Sequence, residues 1–248
     1  MVFSPVLRLA FLCLIVISCN RPGEITGIEY TSLSLSNSAA DSSTHRIISP
    51  YKEKLDKEMN EIVGITDTAY VKEKDKPEYL LGNLVSDIVF QASAKAGQPA
   101  DICLLNNGGL RTSLPKGEIT RGKLFELMPF DNEIVVVTIS GAKMSELFKY
   151  VAASGGVPVS GLKMGIKGRV PVDMKIGGLP FDTTRTYRVA TSDYLAAGGD
   201  KMSFLGEPVK TDITGIRIRD ALIDYFRAEK QKGKLIKSNL DGRVYYAR

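Results

Sequence analysis

The chain has 248 residues, 44% hydrophobic and 25% charged, with three cysteines, one histidine and a formal charge of +5. That composition is globular, with room for one large domain or two small ones, and it excludes fibrous, wholly disordered and disulfide-built proteins. The lone histidine, His45, falls at the end of a stretch that reads as a flexible tether, so no Ser-His-Asp or Cys-His catalytic arrangement is expected.

Residues 1–18 carry one cation, Arg8, an apolar stretch from Leu9 to Ile17, and Val16-Ile17-Ser18 directly before Cys19. This is the pattern of a secretory signal peptide whose apolar core is too short for a stable membrane span. The junction resembles the lipobox of bacterial lipoproteins, which implies lipidation at Cys19 and an exported protein anchored to the bacterial cell envelope. Residues 19–48, rich in Ser, Thr, Asn and Ala, predict a flexible tether. The ordered domain is expected over 49–248.

Ser49 and Pro50 read as N-cap and first residue of a helix. Leu55, Met59, Ile62 and Val63 continue it at helical spacing, with Gly64 as its C-cap. A strand over Ile65–Val71, a charged turn (KEKDKPE) and a helix over 78–96 closed by Gly97 come next. Ile102–Leu105 has the composition of a buried strand and stops at Asn106-Asn107-Gly108-Gly109-Leu110-Arg111. The glycines permit positive φ and close approach, and Arg111 adds a five-donor fork suited to carboxylate or phosphate. Further along, the pattern predicts a short helix near Arg121–Met128, a strand over Glu133–Ser140 and a helix over Gly141–Ala153. Several short strands across 157–191, a long helix within 211–230 and a closing strand over 243–247 follow. The mixture predicts an α+β domain with mixed sheets.

Motifs that would carry chemistry are missing. The sequence has no GxSxG elbow and no GxxxxGK[ST] phosphate loop. An all-carboxylate magnesium site is open in principle, but no clustered acidic motif points to one. No metal and no cofactor are therefore expected in this chain. Cys103 stands alone in an apolar run and reads as inert packing. Lys230, Lys232, Lys234 and Lys237 read as a solvated face, so nucleic acid is not an expected partner.

Four segments nevertheless fall in a specific order: LGNLVSD at 81–87, NNGGLR at 106–111, LMPFDN at 127–132 and ATSDYLAAGGD at 190–200. Together they resemble the C-terminal domain of the 5′-nucleotidase family, from about Ser49 to Ala247. The resemblance implies mixed sheets flanked by helices in a layered α-β-β-α domain, and the nucleotide-holding half of a nucleotide hydrolase. Family members usually join such a domain, through a linking helix, to a metallophosphatase domain with two metal ions. This chain looks cut at that boundary, with a lipid tether in place of the metal domain. Divalent metals are then expected only in a partner metallophosphatase, and the chain alone is expected to be inactive.

By position, the resemblance assigns Phe130 and Tyr194 to a sandwich around the nucleobase and Asp200 to the ribose hydroxyls. Asn106 and Gly108 fall at the base edge and Arg111 at the phosphate. On residue type alone, Phe130 and Tyr194 read equally well as core and Asp200 as a turn acid. Two positions depart from the family pattern. Tyr194 stands where phenylalanine is common and keeps the π face. Lys72-Glu73-Lys74-Asp75-Lys76 stands where the family often has an arginine, which leaves both a nucleotide and a bare nucleoside open as ligand. The alternative functions are a non-catalytic, lipid-anchored nucleotide or nucleoside binder, and an interaction module with a vestigial pocket.

Overall fold

The computed structural model describes Ser32 and residues 41–73 and 75–248. The leader, Cys19, most of the tether and Lys74 lie outside the described residues. The chain divides into two units, 1–47 and 48–248, and the second holds every described strand. Among the described residues no helix is long and apolar enough to cross a membrane.

Helix α1 spans Ser42–Met59, so it starts seven residues before the expected N-cap at Ser49 and carries Pro50 inside it. The reason is Asp41, whose carboxylate accepts from the Ser43 N–H (2.8 Å) and from the Thr44 hydroxyl (3.0 Å) and so caps the orphan donors of the first turn. His45 belongs to this helix. At its other end the helical reading of Ile62, Val63 and Gly64 does not hold: β1 spans Ile62–Thr66. A β-carbon on Gly64 would lie 2.9 Å from the Phe226 ring. The glycine thus serves close approach of a strand to a helix, not a C-cap. Of the strand expected over Ile65–Val71, Ile65 and Thr66 close β1, and beyond them Tyr70 makes an isolated bridge to Leu114.

Helix α2 spans Leu80–Lys95, β2 Ile102–Leu104, β3 Gly117–Thr120, α3 Arg121–Leu127, β4 Glu133–Ser140 and α4 Gly141–Ala153. Strands β5 (Val159–Ser160), β6 (Leu162–Lys167), β7 (Val170–Ile176), β8 (Leu179–Pro180) and β9 (Thr186–Ser192) follow. A one-turn helix α5 (Asp193–Ala196), β10 (Lys210–Arg217), α6 (Ile218–Gln231) and β11 (Val244–Tyr246) complete the chain. Strands β3 and β10 were not anticipated from sequence. The first is only four residues long, and β10 alternates half-buried with exposed positions because it lies at a sheet edge.

A five-stranded mixed sheet in the order β10-β4-β9-β2-β5 organises the domain. Its central strand pair, β9 and β2, is parallel, while β4 is antiparallel to both of its neighbours. A four-stranded sheet, β11-β6-β7-β8, and the antiparallel pair β1-β3 complete the strands. The domain is thus the α+β, mixed-sheet, helix-flanked arrangement expected.

The alternation along β4 shows how the large sheet is covered on both sides. Ile134 and Val136 enter a core shared with α2, α3 and α6. Val135, Val137 and Ile139 enter a second core with α4 and the strands of the smaller sheet. Side chains two residues apart share a face, so EIVVVTIS is apolar nearly throughout because each face has a core to fill. Phe148 and Phe226 anchor the two cores with no solvent exposure, each contributing about 1.5–3 kcal/mol by burial. Cys103 is wholly buried, and that burial pushes its thiol pKa up, consistent with packing and not reactivity.

The LGNLVSD segment is a structural hub. Asn83 donates to Glu78 and to the Asn239 carbonyl (both 2.7 Å), and Ser86 donates to the Val159 carbonyl at 2.9 Å. Arg243 reaches Asp87 at 2.7 Å and Asp241 at 2.7 Å. Burial works against the Arg243 cation, but hydrogen bonds to Asp241 and Asp87 outweigh it and raise its pKa. The motif therefore ties α2 to the C-terminal strand.

Candidate functional site: a cavity at the ends of the parallel strands

Parallel strands β2 and β9 end side by side, and their exits, Leu105 and Ser192, line a cavity of about 760 Å³. Crevices outside the carboxyl ends of parallel strands are the usual ligand positions in such sheets. All six residues singled out from sequence (Asn106, Gly108, Arg111, Phe130, Tyr194 and Asp200) line this one cavity. It also takes in Met128, Pro129, Asp131, Asn132 and Ile218.

The turn after β2 is fastened from outside. Thr191 donates to the Leu104 carbonyl at 2.8 Å, and the Tyr79 hydroxyl donates to Asn107 at 2.7 Å. Burial pushes the Tyr79 phenol pKa up, so it stays a donor. Asn107 in turn donates to the Gly156 carbonyl at 3.2 Å. Of the paired asparagines, then, Asn107 holds the turn and Asn106 faces the cavity. The Asn106 amide donates to the Asp200 carboxylate. Arg111 donates to the Gly108 carbonyl at 3.3 Å, and its guanidinium carbon sits 5.9 Å from the centroid of the Phe130 ring. It is the one cation among the described lining residues.

Phe130 lies on the loop that ends α3, and 42% of it is exposed. A core phenylalanine would not leave that much surface in water. Its backbone is gripped by Arg219, which sequence reading missed. Arg219 donates to the carbonyls of Phe130 (3.2 Å) and Met128 (3.4 Å), pairs with Asp131, and lies 4.1 Å over the Phe125 ring. The Arg219 hydrogen bond, then its charge, holds the Asp131 carboxyl below its ordinary pKa. An arginine in the first turn of a helix opposes the helix dipole, a local mismatch that was the available clue. Asn132, in a quoted motif but given no role, donates to Asp193 at 2.9 Å. Asp193 also accepts from the Tyr194 N–H at 2.7 Å, which joins the two aromatic-bearing segments.

Tyr194 sits in α5, N-capped by Ser192, and is 49% exposed. Its ring covers Gly199, where a β-carbon would come within 2.5 Å of the ring carbons. That contact requires glycine. Asp200 and Lys201 then adopt φ of +50° and +64°, a left-handed conformation that costs a non-glycine residue about 1–3 kcal/mol. Hydrogen bonds hold it there. The Tyr194 hydroxyl donates to Asp200 Oδ1 at 3.2 Å and lies 3.3 Å from the Asp200 backbone N–H. Tyr150 donates to the Asp200 carbonyl at 3.1 Å. Lys72 and Lys76 are not among the lining residues, and Lys76 pairs with Glu73 at 2.6 Å. Among the described residues no three His, Cys, Asp or Glu side chains come together as a metal site.

Half-exposed aromatic rings, an acid held in a strained turn and a single arginine thus surround one cavity. The family model described as "5′-nucleotidase, C-terminal domain" matches residues 58–207; the chain belongs to that family. It is 30% identical over 216 residues to the trifunctional nucleotide phosphoesterase protein YfkN of Bacillus subtilis, covering 78% of this chain and 14% of that one. It is 28% identical over 159 residues to the protein UshA of Escherichia coli, covering 62% of this chain and 28% of that one. A 5′-nucleotidase precursor from Thermus thermophilus superposes with a TM-score of 0.70 at 26% identity, over 83% of this chain and 43% of that structure. This chain therefore spans less than a third of the two curated relatives and less than half of the solved structure.

Proposed function

We propose that the cavity binds a nucleoside or nucleotide, and that the chain is the substrate-holding half of a 5′-nucleotidase-type hydrolase. A single observation carries this reading: Phe130 and Tyr194, 64 residues apart in sequence, line the same cavity with 42% and 49% of their surface exposed. Aromatic faces left open beside a hydrogen-bonded acid suit a flat base attached to a sugar. In this reading the rings stack on the base, Asp200 accepts from the ribose hydroxyls, and the Gly108 backbone meets the base edge. Arg111 takes a phosphate as a charge-assisted partner. The names of relatives that process nucleotides support it.

The hydrolytic metals would come from a metallophosphatase in another chain. Support comes from the donor inventory: one histidine in 248 residues, where two-metal phosphoesterases want several. The Val16-Ile17-Ser18-Cys19 junction supports export and lipid anchoring at Cys19.

Titration of adenosine and adenosine monophosphate into the full chain by calorimetry tests the reading. Saturable binding of either, with no hydrolysis under added magnesium, manganese or zinc, is expected. Absence of binding by both ligands overturns it. Turnover abolished by a substitution in this chain overturns the division of labour. Mass spectrometry of the mature N-terminus should find lipid on Cys19, and an unmodified cysteine there rejects the anchor.

A second reading, a binder that takes the nucleoside without phosphate, is favoured by Arg111 standing as the one cation among the described lining residues. The ratio of the two affinities separates the readings.

A further inference from the structure

Asp200 is the only acid that the proposed function gives to the sugar, and its backbone sits in a conformation that a non-glycine residue adopts only when its surroundings insist. Asn106 and Tyr194 hold its side chain, and both line the cavity. Its carbonyl is held by a residue that does not line the cavity. The hydroxyl of Tyr150, from the last turn of α4, donates to the Asp200 carbonyl at 3.1 Å. The ring of Tyr150 is fixed in turn, half-buried and tilted at 55° against Phe204 with centroids 5.5 Å apart. Phe204 belongs to the second core. A rigid path thus runs from that core through Phe204 and Tyr150 to the strained residue of the site.

We infer that Tyr150 is a positioning residue for ribose recognition: its hydroxyl fixes the left-handed Asp200 backbone, so the carboxylate is already aimed when the sugar arrives. This rests on the reading of Asp200 given above. Burial pushes the Tyr150 phenol pKa up, so the hydroxyl is a donor throughout the neutral range. Without that donor, the Asp200–Lys201 turn is free to relax from positive φ. Binding must then restore the aim of the carboxylate, a preorganisation penalty confined to ligands that use it.

Tyr150→Phe removes the hydroxyl and keeps the ring against Phe204, so the core contact is retained. Calorimetric titration of the full chain with adenosine and with 2′,3′-dideoxyadenosine reads the effect. Wild type should prefer adenosine. Tyr150→Phe should weaken adenosine binding about three- to tenfold, the range of one lost hydrogen bond, and leave the dideoxynucleoside unchanged, with the melting temperature little altered. If wild type shows no preference between the ligands, the role given to Asp200 fails and this inference with it. If wild type prefers adenosine and Tyr150→Phe keeps the preference in full, the role of Asp200 stands and that of Tyr150 is overturned. Equal weakening of both ligands also overturns it, since a merely structural residue would act that way.

Discussion

Asn106 and Asp200, 94 residues apart in sequence, meet at the cavity wall, where the Asn106 amide donates to the Asp200 carboxylate. The amide is therefore committed to the acid before any ligand binds. It also sits where a β-carbon on Gly109 would come within 2.7 Å of the Asn106 side chain, so the double glycine makes room for this hydrogen bond. Asn106→Ala should weaken adenosine binding about three- to tenfold by releasing the carboxylate. The melting point should move little, because the bond is exposed to solvent. Titration with adenosine and with free adenine checks it. A loss shared equally by adenine would place Asn106 at the base edge instead.

Much of this arrangement was legible in sequence because the residues were grouped in short motifs at strand and helix ends. NNGGLR follows β2 and ATSDYLAAGGD runs out of the end of β9, two strands that pair in parallel; it was the resemblance, and not the reading of strands, that joined the two motifs. What escaped was the support. Arg219 and Tyr150 act through backbone carbonyls, partners that the sequence does not name. The charge of Arg219 against its helix dipole was a hint of a special role but not of which loop it holds. The same limit explains Gly64: as a C-cap or as room for Phe226 it is the same letter, and only tertiary packing decides. Helix α1 was misjudged because Ser-Pro is a strong start signal, whereas Asp41 earlier in the chain offered a better cap.

Arg219→Met should loosen the Phe130 loop. The arginine side chain is 8% exposed and donates to two backbone carbonyls, whose loss should cost about 1–3 kcal/mol. For a domain of this size that lowers the melting temperature by about 2–10 °C. Asp131 adds a pH dependence of known sign. Its folded pKa is depressed, so pairing with Arg219 stabilises above the unfolded carboxylate value and is lost as pH falls through the folded one. The gap between wild type and Arg219→Met should therefore narrow in strong acid. Melting curves across pH check it; a gap that widens in acid contradicts the pairing.

Arg111→Ala should separate phosphate from nucleoside. The guanidinium donates to the Gly108 carbonyl and lies 5.9 Å from the centroid of the Phe130 ring, and it remains the one cation among the described lining residues. Affinity for adenosine monophosphate should fall about tenfold or more, as expected for a charge-assisted hydrogen bond. Adenosine should lose about twofold, through the support the guanidinium gives one face of the ring. Paired titrations decide: an equal loss for both ligands makes Arg111 a prop for Phe130 and leaves the phosphate without a partner.

Phe130 and Tyr194 carry the strongest test, because aromatic residues of a core and of a binding wall respond differently. Both are about half exposed, so truncation removes little buried area and the melting temperature should hold. Stacking on a base contributes about 1–3 kcal/mol per aromatic residue, so Phe130→Ala or Tyr194→Ala should weaken adenosine binding about tenfold to a hundredfold. Tyr194→Phe is the informative variant. Judged by the π face alone it should be silent, but the structure gives the hydroxyl work: it donates to Asp200 Oδ1 at 3.2 Å and lies 3.3 Å from the Asp200 backbone N–H. Its removal should cost about three- to tenfold toward adenosine and almost nothing toward adenine, which stacks but has no ribose. Tyr194→Ala should cost both ligands, since it removes ring and hydroxyl together. If the alanine variants melt early and bind normally, the two rings are packing, and the cavity does not hold a base between them.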